Sequence, residues 1–149
     1  MTHRATELSL GMAAEQLFES LPKAARIALG DLPALLRRLQ RDAQLLRSRY
    51  EDLNDALGGE RPGSASEELD ALRDERAEVH EKLGEAVSAL ETIRLNLLRL
   101  HAGSATVEGL TTHIGLAAEV SAEVERMIAA REEIDEGLRF PRRVEHTPV

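Results

Sequence analysis

The chain has 149 residues, a formal net charge of −8 and no cysteine. That length holds one domain with a real core and barely two. The acid excess disfavours nucleic-acid backbone binding by the chain as a whole, and the missing cysteines exclude a disulfide framework or a thiolate metal site. Phe18, Tyr50 and Phe140 are the only aromatic residues, so the core must be aliphatic, which favours helices. The start of the chain lacks the basic and apolar run of a secretion signal, and no stretch reaches the roughly 18 apolar residues of a membrane span. The expectation is a soluble, cytoplasmic chain.

Residues 1–30 are the least regular part. Leu8, Met12, Leu17, Phe18 and Leu21 form a weak apolar face, and Pro22 sits one turn inside a helix start capped by Ser20. Asp31-Leu32-Pro33 repeats the Ser20-Leu21-Pro22 arrangement, with Gly30 between them suited to a helix C-cap. The segment therefore reads as helical and partly ordered, with a short helix, a turn and the start of a long helix.

That first long helix is expected over about 32–57. Two series seven residues apart, Leu32, Leu39, Leu46, Leu53 and Leu36, Ala43, Tyr50, Leu57, keep three-four spacing for almost four heptads. Gly58-Gly59-Glu60-Arg61-Pro62-Gly63 ends it. Ser64 with Glu67, or Ser66 one step on, can cap the next helix, which is expected over 66–101 and about 50 Å long. Its seam is Leu69, Leu72, Arg76, Val79, Leu83, Ala86, Leu90, Ile93, Leu97 and Leu100, apolar everywhere except Arg76. After Ala102-Gly103-Ser104-Ala105, Ser104 or Thr106 caps a third long helix over 106–137. Its seam reads Val107, Leu110, Ile114, Ala117, Ser121, Val124 and Ile128, with Val120, Met127, Ile134 and Leu138 on an adjoining stripe. The tail, 139–149, has two prolines and no periodicity and is expected to be disordered.

Short loops force antiparallel neighbours. Reflection about Gly103-Ser104 sets Leu97 against Leu110, Leu90 against Ala117, Leu83 against Val124 and Leu69 against Leu138. Reflection about the Gly58–Gly63 turn sets Leu46 beside Val79 and Leu39 beside Leu83. It also lays Arg37, Arg38, Arg41, Arg47 and Arg49 beside the acids Asp70, Asp74, Glu75, Glu78, Glu81 and Glu85. The expected fold is all-α: an antiparallel three-helix coiled-coil bundle with a short N-terminal helical segment packed at one end.

At one level of that bundle the reflection collects Arg47, Arg76 and Arg131. Buried arginines need acids such as Asp135, Glu132 or Glu75 to neutralise them. They read as an anion site or a register-fixing polar layer, or, more commonly for arginine, as side chains snorkelling out at the open end. Leu95 and Leu98 lie off the seam, and with Met127 on the third helix's leftover stripe they mark an interaction surface. Either residues 17–29 fold back over the leucines, or a second copy or another helical protein covers them.

No catalytic or cofactor pattern appears. None of His3, His80, His101, His113 or His146 follows a glutamate by three residues, as the ligands of a di-iron bundle do. No nucleophile elbow or strand-borne phosphate loop is present. The polar helix faces are acidic, which argues against membrane-surface binding. The reading is therefore a non-enzyme without cofactors, an interaction or homodimerisation module. The alternatives are a stand-alone bundle holding a metal or small ligand, or a weak membrane-surface binder.

The run Ala89-Leu90-Glu91-Thr92-Ile93-Arg94-Leu95-Asn96-Leu97-Leu98-Arg99-Leu100-His101-Ala102-Gly103, followed by Thr106-Val107-Glu108-Gly109-Leu110-Thr111, resembles the helical region downstream of the catalytic domain in some bacterial serine/threonine protein kinases. Asp31-Leu32-Pro33 and Tyr50-Glu51-Asp52-Leu53-Asn54 are similar to the start of that region. The chain contains no His-Arg-Asp catalytic loop and no Asp-Phe-Gly. The resemblance thus implies a non-catalytic regulatory or dimerisation portion of a signalling protein.

Overall fold

The structure, a computed structural model, describes residues 4–58 and 66–139. Five helices account for nearly all of them: α1 (Arg4–Glu19), α2 (Lys23–Leu29), α3 (Leu32–Gly58), α4 (Glu67–His101) and α5 (Val107–Arg139), with no strand among the described residues. The fold is all-α. Residues 59–65, which include most of the expected first turn and the Ser64 cap, lie outside the described residues, as does the expected disordered tail beyond Arg139.

Most positions of the heptad seams are buried, while Tyr50, Leu57, Leu69, Leu72, Leu100 and Val107 are half-buried. On α3, Leu32, Leu36, Leu39, Ala43, Leu46 and Leu53 are buried; on α4, Val79, Leu83, Ala86, Leu90, Ile93 and Leu97. Leu110, Ala117 and Val124 of α5 join the same core, with Ile114 and Ile128 packed at its edge. Full burial of each leucine contributes about 1.5–3 kcal/mol, so these rows supply most of the cohesion.

Direction can be read from the polar pairs. Lys82 bonds Glu123 and Arg131 pairs with Glu75 and Glu78, so α5 runs back along α4. Glu7 pairs with Arg47 and Glu15 with Arg37, so α1 runs antiparallel to α3. Asp42 meets Ser121 and Arg41 meets Glu125, on one flank of α3. By helical spacing Arg47, Gln40 and Arg37 lie on the other flank. α1 and α5 thus sit on opposite sides of the α3–α4 pair.

The N-terminal segment differs from expectation in both length and place. α1 has 16 residues and lies along α3 and α4, not at one end. Its buried positions are Glu7, Gly11, Ala14 and Phe18, while Leu8 and Met12, expected on the apolar face, are exposed. The spacing is a heptad, but apart from Phe18, expected on the apolar face, its members are a carboxylate, a glycine and an alanine, and these carry little hydropathy signal. Gly11 faces α3, where an added Cβ would fall on the Gln40 side chain. Leu21 and the short α2 then turn the chain toward α3, through Gly30 at φ +66°.

Caps fix the remaining ends. Ser66 Oγ accepts the Leu69 N–H at 3.1 Å, and Thr106 Oγ1 accepts that of Gly109 at 3.0 Å. At the end of α4, Gly103 has φ +80°, its N–H donates to Leu100 O, and that of Ser104 donates to Arg99 O. This is a Schellman closure with glycine in the left-handed position. Gly84, by contrast, lies inside α4, and open space surrounds the position of an added Cβ.

The two glycines should respond to alanine with opposite signs in thermal or urea melts. Gly103→Ala should lower stability by about 1–2 kcal/mol through left-handed strain. Gly84→Ala should raise it by about 0.5–1 kcal/mol through helix propensity.

Candidate interaction surface and buried polar groups

Glu7, Asp42, Glu75 and Ser121 are the buried polar side chains among the described residues. Each sits where α3 or α4 meets a neighbour. Glu7 is held in a fork: Arg47 Nε donates to Oε2 and Nη2 to Oε1, both at 3.0 Å. This is the geometry that makes arginine–carboxylate pairs strong. Glu75 accepts from Arg49 Nε at 2.8 Å and lies 3.6 Å from Arg131 Nε, while Arg131 Nη2 also donates to Glu78 at 3.3 Å.

The expected arginine layer therefore does not converge. Arg47 turns to α1, Arg131 to the acids of α4, and Arg76 Nη1 donates to Asn54 Oδ1 at 2.9 Å. Of the acids expected to neutralise the layer, Glu75 does so for Arg131, Glu132 is exposed, and the Asp135 side chain lies outside the described residues. Nor do the arginines of α3 all face the acids of α4. Arg37 binds Glu15 of α1, Arg38 and Arg41 bind Glu125 of α5, and Arg49 reaches Glu75. Their positions run around the helix, so three neighbours share them.

Asp42 has no counterpart in the expected seams. Ser121 Oγ donates to its Oδ2 at 3.0 Å, while Oδ1 is buried without a partner. Burial pushes its pKa from 3.8 up to about 6, opposed by the Ser121 hydrogen bond; Glu125 pushes it further up, and Arg41 and Arg38 pull it down. Ser121 was the available clue, because a hydroxyl in an aliphatic seam needs a polar partner across the interface.

Leu95 and Leu98 stand on the outward face of α4 at 41% and 46% exposure. Although α1 runs beside α4, and His101 Nε2 lies 3.1 Å from Leu17 O, neither α1 nor α2 covers them. Met127 does not share that face. It is half-buried on the core edge and lines a gap of about 210 Å³ between α3 and α5 with Leu45 and Arg131. A second groove of about 470 Å³ runs between α4 and α5, floored by Gly84, Ser88, Ala89 and Val120 and walled by Leu116. A third, of about 550 Å³, lies between α3 and α4 and includes Tyr50 and His80, whose rings are 5.2 Å apart.

Among the described residues no group of three or more histidine, aspartate and glutamate side chains is placed to hold a metal ion. No described helix is long and apolar enough to cross a membrane. No protein-family model, curated protein or solved structure matches the chain.

Two predictions follow from the buried carboxylates. A raised carboxyl pKa favours the protonated folded state, so the Asp42 penalty is absent below about pH 4 and complete above about pH 6. Asp42→Asn should thus melt like the parent at pH 4 and be more stable at pH 8, by up to about 3 kcal/mol. Glu7→Ala should cost about 3–5 kcal/mol by stranding Arg47, whereas Glu7→Leu with Arg47→Leu should be near neutral. Urea denaturation of the single and double variants measures both.

Proposed function

We propose that this protein is a non-catalytic helical interaction module that forms a homodimer through the outward face of α4. In this reading α3, α4 and α5 make up an antiparallel three-helix coiled-coil unit, with α1 docked along it. The observation that carries the proposal is the exposure of Leu95 and Leu98 three residues apart on one helix face. An antiparallel, two-fold contact sets Leu95 of one copy on Leu98 of its partner and repeats the contact by symmetry. The polar groups are engaged in ion pairs and caps that hold helices to one another, which supports a structural and not a catalytic role for them. The resemblance at Ala89–Gly103 supplies the biological context of the proposal, the regulatory portion of a bacterial kinase-type signalling protein acting in the cytoplasm.

Light scattering on the intact chain tests it. The parent should elute at twice the monomer mass. Leu95→Glu with Leu98→Glu should keep the helical circular dichroism and elute as a monomer, since both side chains lie outside the core. A parent that stays monomeric at high micromolar concentration overturns dimerisation.

A further inference from the structure

The groove between α4 and α5 lies on the flank of α4 turned toward α5, beside the face assigned to self-association. Its volume is about 470 Å³. Its floor is made of small residues, with Gly84 and Ser88 exposed and Ala89 half-buried, and Leu116, 55% exposed, stands along one wall. A floor this low leaves depth for an incoming leucine, isoleucine or methionine.

The surroundings of the groove carry more acid than base. Glu85 lines it, Glu81 lies one turn earlier on α4, and on α5 Glu119 and Glu123 lie on either side of Val120 in the sequence. Lys82 and Arg126 are the cations that act there, and His113 lines the groove. Lys82 bonds Glu123 at 2.8 Å and Glu85 at 3.4 Å, and this pairing holds the Glu123 carboxyl below its ordinary pKa and raises that of Lys82. Glu81 and Glu119 have no ion-pair partner among the described residues. Four acids against Lys82 and Arg126 leave a net negative rim around a low floor, on a chain whose formal net charge is −8.

We infer that this groove docks a cationic amphipathic helix of another protein, one that lays an apolar stripe on Gly84, Ser88 and Val120 and sets lysine or arginine against Glu81, Glu85, Glu119 and Glu123. Charge selects that occupant over a second copy, whose own acidic faces would be repelled. The α4 segment from Glu81 to Thr92 is about 17 Å long at 1.5 Å per residue, so it receives about three turns of partner helix. Helix-in-groove recognition of this kind draws affinity from the apolar anchors, and discrimination and association rate from the charged rim. The site is separate from Leu95 and Leu98, and it does not require the dimer.

Fluorescence anisotropy with two labelled helical peptides of about 18 residues tests the inference. Both carry the same leucine stripe, one flanked by lysines and the other by glutamates. The lysine peptide should bind at least tenfold more tightly at low salt, and its affinity should fall as salt screens the rim. Glu81→Lys with Glu119→Lys, both at exposed positions, should keep the helical spectrum and erase or reverse the preference. The Leu95→Glu, Leu98→Glu double variant should bind the lysine peptide as the parent does. Equal binding of the two peptides, or retained preference in the charge-reversed variant, overturns the charge assignment. Failure of both peptides to bind overturns the docking groove, whatever light scattering shows for the dimer.

Discussion

The α3–α4 contact holds the molecule together. Leu36, Leu39 and Ala43 on one helix and Ala86, Leu90 and Ile93 on the other have no measurable exposure, and every other long helix packs onto the ridge or flank of that pair. α1 fits one side because Gly11 and Ala14 let its backbone come close. α5 fits the opposite side through Leu110, Ala117 and Val124. If the two leucine rows were separated, neither α1 nor α5 would keep a complete surface to rest on. Each is amphipathic along a narrow stripe, and α1, with 16 residues, is close to the length at which an isolated helix is marginal in water.

Aliphatic rows supply cohesion but discriminate poorly between registers, since a slip of seven residues brings leucine onto leucine again. The buried polar groups do not tolerate that slip. A displaced α1 would carry Glu7 away from both nitrogens of Arg47, and a displaced α5 would leave Asp42 without the Ser121 hydroxyl. Glu75 does the same for the far end, where Arg49 and Arg131 reach it from two helices. Each interface of α3 therefore has its own polar tooth, and the stability given up to bury it is returned as a single arrangement.

How much of this is legible in the sequence depends on what each seam is made of. The three long helices declare themselves, because leucine at three-four spacing has one physical meaning, and a Ser/Thr cap marks where α4 and α5 start. The Ser66 and Thr106 caps were among those expected, and Gly103 ends α4 as its conformational freedom requires. α1 was legible at Phe18 and hid over the rest of its length, because its other inward positions are Glu7, Gly11 and Ala14. A stripe of small and charged residues becomes a core face only when a partner offers an arginine and a glutamine to meet it, and nothing local reports that. The arginines of α3 misled for a similar reason. Reflection about one loop can weigh only the helix beyond that loop, whereas Arg37 and Arg47 answer to a helix that precedes α3 and Arg38 and Arg41 to one that follows α4.

The same sharing of charges makes the outside of the molecule uneven. α3 spends its arginines on its flanks and still turns Arg37 and Arg41 largely to solvent, with side chains 62% and 60% exposed. Long charged side chains of that kind keep another chain at a distance, because ordering them costs entropy and stripping their water costs more. α4 is built the other way. Its acids near the start of the helix engage Arg49, Lys82 and Arg131, and further along Glu91 is held by Arg94 while Leu95 and Leu98 stand exposed, side chains that lose little hydration when covered. Among the large apolar side chains left exposed on the two central helices, Leu95 and Leu98 of α4 stand together, whereas Leu45 of α3 stands apart between the arginines of its helix.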